Sequence, residues 1–138
     1  MFFIRPPDTG FLQRGNRTRM MCLGKVFRLG KVCDSKQNVK HPELLIALRE
    51  LIKLIDPKFE YQSIQVNQNI VCKPHRDCKN TGHSYIVGFG DYQNGDTVVQ
   101  FQETVSVNIY HQPINFNGSK HLHWSTDFSG TRFSVIYF

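Results

Sequence analysis

The sequence predicts an α+β, mainly β domain: a double-sheet jelly roll backed by one main helix. Three observations lead there. One strongly periodic helical segment stands early in the chain, at Pro42–Ile55. From Phe59 to the end, short β-type runs alternate with turn signals. The last run is apolar on both faces, as an interior strand requires. A helix followed by many evenly spaced short strands is the pattern of a double-layer β fold with its helix on one side. A chain of 138 residues is one domain's worth, with room for a sizeable core. The expected division is an irregular basic segment over 1–19, a supporting helix over 42–55 and a jelly-roll core over 59–138.

In chain order, residues 1–19 carry breakers at Pro6, Pro7, Gly10, Gly15 and Asn16 and read as irregular. Residues 20–32 read as a strand or hairpin, with Met20, Cys22, Val26, Phe27 and Leu29 as apolar positions. Asp34–Lys40 reads as a polar loop. Leu44, Leu45, Leu48, Leu51, Ile52 and Ile55 recur at helical spacing. Pro42 suits the first turn, Glu43 complements the helix dipole, and Asp56-Pro57 stops the helix. Its apolar stripe is expected to pack on a sheet. Strands are then expected at Phe59–Val66, Asn69–Lys73, Ser84–Phe89, Thr97–Gln102, Val105–Tyr110, near Ile114, at His121–Ser125 and at Arg132–Phe138. Turns are expected at 79–82, 90–95, 117–119 and 127–130, and Gln93-Asn94-Gly95-Asp96 is a hairpin signal. In the last strand Phe133, Val135 and Tyr137 share one face, while Arg132, Ser134, Ile136 and Phe138 share the other.

The formal charge of +6 is unevenly placed. Residues 1–40 hold nine basic and two acidic side chains, and the remainder holds eight and nine. A basic N-terminal part favours polyanionic partners such as DNA or RNA, or simply forms a solvated face. Cys22, Cys33, Cys72 and Cys78 do not read as a disulfide framework. The opening residues lack the apolar core of a signal peptide, and no apolar run is long enough to span a membrane. The expectation is a reduced, intracellular protein, cytoplasmic or nuclear, not secreted and with no membrane partner.

The chemistry centres on His75-x-Asp77. In an extended chain residues two apart point the same way, so this imidazole and carboxylate can reach one metal ion. Two His and one carboxylate, with other positions open, suit non-haem Fe(II) and oxygen chemistry. A second imidazole comes from His121-x-His123, and spacing alone does not choose between the two. Nine positions after His123 stands Arg132, with Ser134 beside it on the same face. A guanidinium fork and a hydroxyl are a good receptor for a carboxylate.

This ordered set resembles the Fe(II)- and 2-oxoglutarate-dependent dioxygenases, whose pattern is His-x-Asp, a distal His, then Arg-x-Ser on a cupin-like double-stranded β-helix. The resemblance runs from about Pro42 to Phe138. The stretches Phe59–Asn69, His75-x-Asp77-x-Lys79-Asn80-x-Gly82-x-Ser84, Gly88-x-Gly90-Asp91-Tyr92-x-x-Gly95-Asp96, Phe116-x-Gly118 and Gly130–Ser134 look most like the TET/J-binding-protein branch, which oxidises methyl groups of pyrimidine bases in nucleic acid. Where the family often shows Gly-Gly-acid-aliphatic, this chain has Asn94-Gly95-Asp96-Thr97. The resemblance favours His123 over His121 and implies Fe(II) on His75, Asp77 and His123. It implies 2-oxoglutarate as cosubstrate, its far carboxylate on Arg132 and Ser134, with Asn67 and Asn69 near its carboxylates. It also implies O2, with oxidative decarboxylation to succinate coupled to hydroxylation of a C–H bond.

Other readings accompany this one. The same fold serves hydroxylation of a protein side chain, prolyl for example, or of a small molecule, because fold does not fix substrate. A non-catalytic jelly-roll binding module is a third. A zinc site on Cys72, His75 and Cys78 lacks a fourth ligand at a usual spacing. Trp124, Tyr85 and Tyr92 are either base-stacking platforms or, by default, core.

Overall fold

The computed structural model describes residues 18–77 and 82–138. Most of the basic segment over 1–19, together with Cys78 and residues 79–81 of the turn expected at 79–82, lies outside the described residues. Among the described residues nine strands and two helices follow in the order β1 Arg19–Arg28, β2 Lys31–Asp34, α1 Gln37–Lys40, α2 Pro42–Ile55, β3 Ser63–Gln68, β4 Ser84–Asn94, β5 Thr97–Gln100, β6 Thr104–Val107, β7 Ile114–Phe116, β8 His123–Ser125 and β9 Phe128–Tyr137. They form a six-stranded antiparallel sheet, ordered β2-β1-β3-β9-β4-β7, and a three-stranded one, ordered β6-β5-β8.

Helix α2 has the bounds expected from its periodicity, with Pro42 in its first turn and Asp56 as C-cap. Its stripe does what an amphipathic stripe on a sheet should do. Leu45, Leu48 and Ile52 are buried against Leu23, Ile64, Val87, Val135 and Tyr137 of the large sheet. The Tyr137 hydroxyl donates to the Leu48 carbonyl at 2.6 Å, fixing helix to sheet. Strand β9 lies between β3 and β4, the interior place its two apolar faces required. Its alternation separates two environments. Val135 and Tyr137 face the helix. Arg132, Ser134 and Ile136 face a pocket shared with the small sheet.

Several local expectations are corrected. Residues 69–73 are not a strand. Asn69 adopts φ 56°, a left-handed conformation that Asn tolerates better than most residues, and this turns the chain out of the sheet. Phe59 also precedes its strand. It packs edge-on against Tyr85, and pairing starts only at Ser63. The expected turns at 90–95 and 127–130 are largely strand, because Gly90 (φ 113°) and Gly130 (φ 97°) bend β4 and β9 without breaking their pairing. Asn94-Gly95 does turn, with φ 64° and 72°, but it passes the chain from the large sheet to the small one instead of closing a hairpin. The polar loop at 34–40 contains the short helix α1. Residues 19–34 form a hairpin through Leu29-Gly30, and its first strand pairs with β3, so the large sheet extends beyond the 59–138 core. The strands expected at 97–102, 105–110 and 121–125 are each shorter or shifted, at 97–100, 104–107 and 123–125. Among the described residues no helix is long and apolar enough to cross a membrane.

Candidate active site

Two segments that are distant in sequence bring the three candidate ligands together. His75 and His123 form an antiparallel bridge, exchanging both backbone hydrogen bonds at 3.0 Å. The Asp77 amide donates to the Gly118 carbonyl at 2.9 Å. Donor atoms of His75, Asp77 and His123 all lie within 4.8 Å of one another. The Asp77 carboxylate sits between the rings, with Oδ1 3.5 Å from His75 Nε2 and Oδ2 3.4 Å from His123 Nε2. Each ring is also tied on its far side. His75 Nδ1 lies 2.6 Å from the Lys73 carbonyl, and His123 Nδ1 lies 2.8 Å from the His121 carbonyl. A carbonyl can only accept, so each Nδ1 carries the proton and each Nε2 presents its lone pair inward.

This arrangement fits a divalent metal on two counts. The donor set is two neutral imidazoles and a carboxylate, the set for non-haem Fe(II). Asp77, only 2% exposed, also leaves Oδ1 without a hydrogen bond, and a buried carboxylate oxygen calls for a partner. Burial disfavours the charged form of Asp77, but the adjacent His123 and His75 rings, which favour the carboxylate whenever they take up a proton, outweigh it and hold the carboxyl well below its usual range. Burial likewise opposes charge on His75, while Asp77 and the Lys73 carbonyl raise its pKa on balance. The donor set of this site fits Fe(II).

Gly118 makes the geometry possible. A Cβ there would collide with Asp77 Oδ2 and stand 3.2 Å from His123 Cε1. Phe116 packs edge-on against His123 at 4.9 Å between ring centroids. His121 does not join the ligands. Its ring packs on Phe101 at 4.6 Å.

A pocket lies beside the triad, partly open to solvent, with about 550 Å³ of atom-free space in and around it. Asn67, Arg132 and Ser134 line it, as do Cys72, Ser84, Ile86, Thr97, Phe116, Trp124 and Ser125. Arg132 is 3% exposed. Its Nε donates to the Gly95 carbonyl at 3.1 Å, and its guanidinium carbon lies 5.7 Å and 5.9 Å from the centres of the Tyr92 and Phe128 rings. Gly95 must lack a side chain here, since a Cβ would stand 2.9 Å from Arg132 Nε. The fork is therefore aimed by fixed contacts, and a ligand carboxylate would complete its pairing. Ser134 Oγ accepts from the Asn67 amide at 3.3 Å. Asn69 is placed differently. Its side-chain oxygen accepts from the Arg132 backbone amide at 2.8 Å, and it positions the strand rather than lining the pocket.

Thr97 and Ser125 carry no local sequence signal for their places here, whereas Gly118 stands in the Phe116-x-Gly118 motif and Cys72 close before His75-x-Asp77. Burial pushes the Cys72 thiol up to about 11, against the pull of Arg132, so it is held as a thiol in the metal-free protein. Among the described residues the metal-type cluster is His75, Asp77 and His123, without Cys72. Of the candidate stacking aromatics, Trp124 lines the pocket, Tyr92 lies against Arg132, and Tyr85 belongs to the helix side.

No protein-family model matches the chain, and no curated protein matches it in sequence. Solved structures do resemble it. An oxidoreductase of the 2OG-Fe(II) oxygenase family from Burkholderia pseudomallei superposes with a TM-score of 0.62 at 18% identity, covering 97% of this chain and 71% of that one. NgTET1 in complex with 5mC DNA gives 0.59 at 16% identity, covering 86% and 60%. A Pseudomonas putida prolyl-4-hydroxylase gives 0.51 at 12% identity, covering 89% and 69%. The two-sheet architecture, with the triad and Arg132 meeting in the pocket between the sheets, has the double-stranded β-helix fold of the Fe(II)/2-oxoglutarate oxygenases.

Proposed function

We propose that this protein is an Fe(II)- and 2-oxoglutarate-dependent dioxygenase that hydroxylates the methyl group of a pyrimidine base in nucleic acid. The observation that carries the enzyme class is one pocket holding His75, Asp77 and His123 within 4.8 Å of one another and the buried Arg132 in the same wall. His75, Asp77 and His123 would hold Fe(II), which, when bound, supplies the chemistry that couples O2 and 2-oxoglutarate to oxidation of a C–H bond. The chain's own work is positional. Lys73 and His121 hold the imidazole tautomers through their carbonyls, Arg132 receives the cosubstrate's far carboxylate, and Ile86, Phe116, Trp124 and Ile136 keep the walls apolar and limit water.

The nucleic-acid reading is supported by the rim. Lys73, Arg76 and Lys120 are exposed beside the ligands, and Arg76 Nε donates to the Lys120 backbone carbonyl at 3.2 Å, which ties Arg76 to this rim. Phe101, 43% exposed, stacks edge-on with His121 next to them. Cations that track phosphates next to an aromatic surface suit a single strand or a flipped base. The fold shared with NgTET1 agrees with this reading, as do the motifs over 59–134. The basic N-terminal residues, intracellular location and single-domain organisation over 1–138 belong to the same proposal.

The first experiment is an anaerobic titration of metal-free protein with Fe(II) and 2-oxoglutarate, following the visible charge-transfer band, then succinate release with 5-methylcytosine or thymine oligonucleotides against proline-containing peptides. A band, with succinate release coupled to the oligonucleotides, supports the reading. A band with coupling only to peptides leaves the oxygenase and removes the nucleobase. No band removes the oxygenase.

A further inference from the structure

Strands β1 and β2 run on past the large sheet as a hairpin. β1 pairs with β3 only as far as Gly24, opposite Ser63. From Lys25 to Arg28 its strand partner is β2, with Phe27 opposite Val32 and Arg28 opposite Lys31 at the tip. A two-stranded hairpin is marginally stable by itself, so this one needs anchoring. Side chains at its base supply the anchor. Asn38 of α1 accepts from the Gly24 amide at 2.8 Å and donates to the Gly24 carbonyl at 3.0 Å. Ser35, itself buried, donates from Oγ to the Cys22 carbonyl at 2.6 Å, and Ser63 Oγ donates to the Lys25 carbonyl at 2.5 Å. Hairpin and α1 are therefore held against each other at a fixed angle.

What the anchored hairpin presents is not core. Phe27 is 74% exposed and Leu29, at the turn, 95%. A groove opens between the hairpin and α1, with Val26, Phe27, Arg28, Lys36, Gln37 and Lys40 in its walls. Three cations and no carboxylate line it. The one carboxylate of the hairpin, Asp34, is taken by Lys25 at 2.6 Å, and among the described residues Arg28, Lys36 and Lys40 make no ion pair. Unbalanced cations beside an exposed aromatic ring suit phosphates and an unstacked base. The hairpin also leaves the sheet at the end that serves the triad. By register Leu23, Ile64, Tyr137, Tyr85 and Asn115 form one row across the sheet. The next row outward holds Gly24 and Ser63 on one side and Ser84 and Phe116 on the other. Ser84 and Phe116 line the pocket, and the Phe116 ring packs on His123. β1 stands three strand spacings from β4, about 14 Å, a span that a short run of nucleotides can cross.

We propose that the groove between the β1–β2 hairpin and α1 is a docking surface for a single nucleic-acid strand: Arg28, Lys36 and Lys40 take its phosphates, and Phe27 stacks one of its bases. That this strand feeds the pocket rests on the nucleobase reading. An anionic membrane would also meet cations and an apolar tip. The strand is favoured because the hairpin projects from the end of the sheet where the pocket meets the triad.

The test is fluorescence anisotropy of a labelled single-stranded 5-methylcytosine oligonucleotide with the full chain, over a range of salt. The double variant Arg28→Gln/Lys36→Gln is expected to weaken binding by about tenfold or more at low salt. It should also flatten the log–log salt slope by about 1.4, at about 0.7 per phosphate contact. Phe27→Ala is expected to weaken binding by about fivefold or more with the slope unchanged. The control Lys53→Gln/Lys58→Gln removes the same charge from exposed positions in and just after α2, and should bind as the wild type does. All four cations are exposed, so neither double variant disturbs folding. Equal losses in the two double variants would mean that net charge alone acts, and would overturn the proposal. So would a wild type that does not bind the oligonucleotide at low salt, or one that prefers phosphatidylserine vesicles to it. If the groove variants lose binding as expected but the wild type releases no succinate with the oligonucleotide, the docking surface stands and the nucleobase reading falls.

Discussion

Gly118→Ala is the sharpest perturbation of the metal centre, because it adds one methyl group and changes no ligand. Gly118 has no left-handed backbone requirement, so the substitution acts through space alone. The new Cβ collides with Asp77 Oδ2 and stands 3.4 Å from Asp77 Cγ and 3.2 Å from His123 Cε1. The carboxylate cannot easily retreat. It is 2% exposed, wedged between two imidazoles, and its own backbone amide is bonded to the Gly118 carbonyl. Overpacking of this kind costs about 1–3 kcal/mol of stability. For a domain of this size that lowers the melting temperature by roughly 3–15 °C. Displacing a ligand from its geometry typically costs about 10–100-fold in metal affinity. The assay is thermal melting of the metal-free protein beside Mn(II) or Fe(II) titration of wild type and variant. A variant that melts with the wild type and binds metal equally well would refute the packing argument. It would show that Asp77 has room to move.

Other expectations follow from the same contacts. Arg132→Gln should remove 2-oxoglutarate binding, a charge-assisted pairing of about 2–5 kcal/mol, with metal affinity retained in direct titration. Asn69→Gly should destabilise less than Asn69→Ala in denaturant melts. Both lose the bond to the Arg132 amide, but alanine must also hold φ near 56°. Acid should act on the ligand-free protein with two signs. Asp77, with its pKa lowered from 3.8, contributes stability above its unfolded value that is lost as pH falls through the folded one. His75, with its pKa raised from 6.5, contributes stability below that value that is lost as pH rises through the folded one. Both contributions are therefore present between about pH 4 and 6.5, whereas metal affinity should fall with acid from above pH 6.5, as protons compete for His75. Calorimetric melts and metal titrations across pH would show the two trends diverging.

What could be read from the chain was whatever depends on short-range periodicity. Helix α2 was legible to the residue because six apolar positions recur at helical spacing between a proline and Asp56-Pro57. The two faces of β9 were legible because alternation along a strand is strict. What could not be read depends on who sits opposite. Gly90 and Gly130 look like turn residues, yet they stand in long paired strands because each passes close under a neighbouring carbonyl, that of Thr131 and of Asp91 respectively. Asn94-Gly95 has the chemistry of a hairpin turn, but only the tertiary fold decides that β4 and β5 leave it for different sheets. Thr97 reads as an ordinary strand residue. Its place in the pocket wall with Arg132 is visible only once the two sheets face each other.

The choice between His121 and His123 shows the same division and carries its own prediction. Both point the same way in an extended chain, so spacing leaves them equal. The structure separates them through the backbone. His123 pairs with His75 in a two-way bridge, which places its side chain opposite that of His75 and over Asp77. His121 lies two residues before β8, and its carbonyl, not its ring, serves the site. Lys73 stands in the same relation to His75, two residues before it and accepting from Nδ1. The site is thus two copies of one local device, a carbonyl at i−2 holding an imidazole at i. Since a backbone carbonyl survives any side-chain change, His121→Ala should bind Fe(II) with wild-type affinity, losing only its ring contact with Phe101, while His123→Ala should lose metal binding altogether. Equal losses in the two variants, measured by metal titration, would mean that the ring of His121 reaches the metal and that the bridge geometry does not decide the ligand.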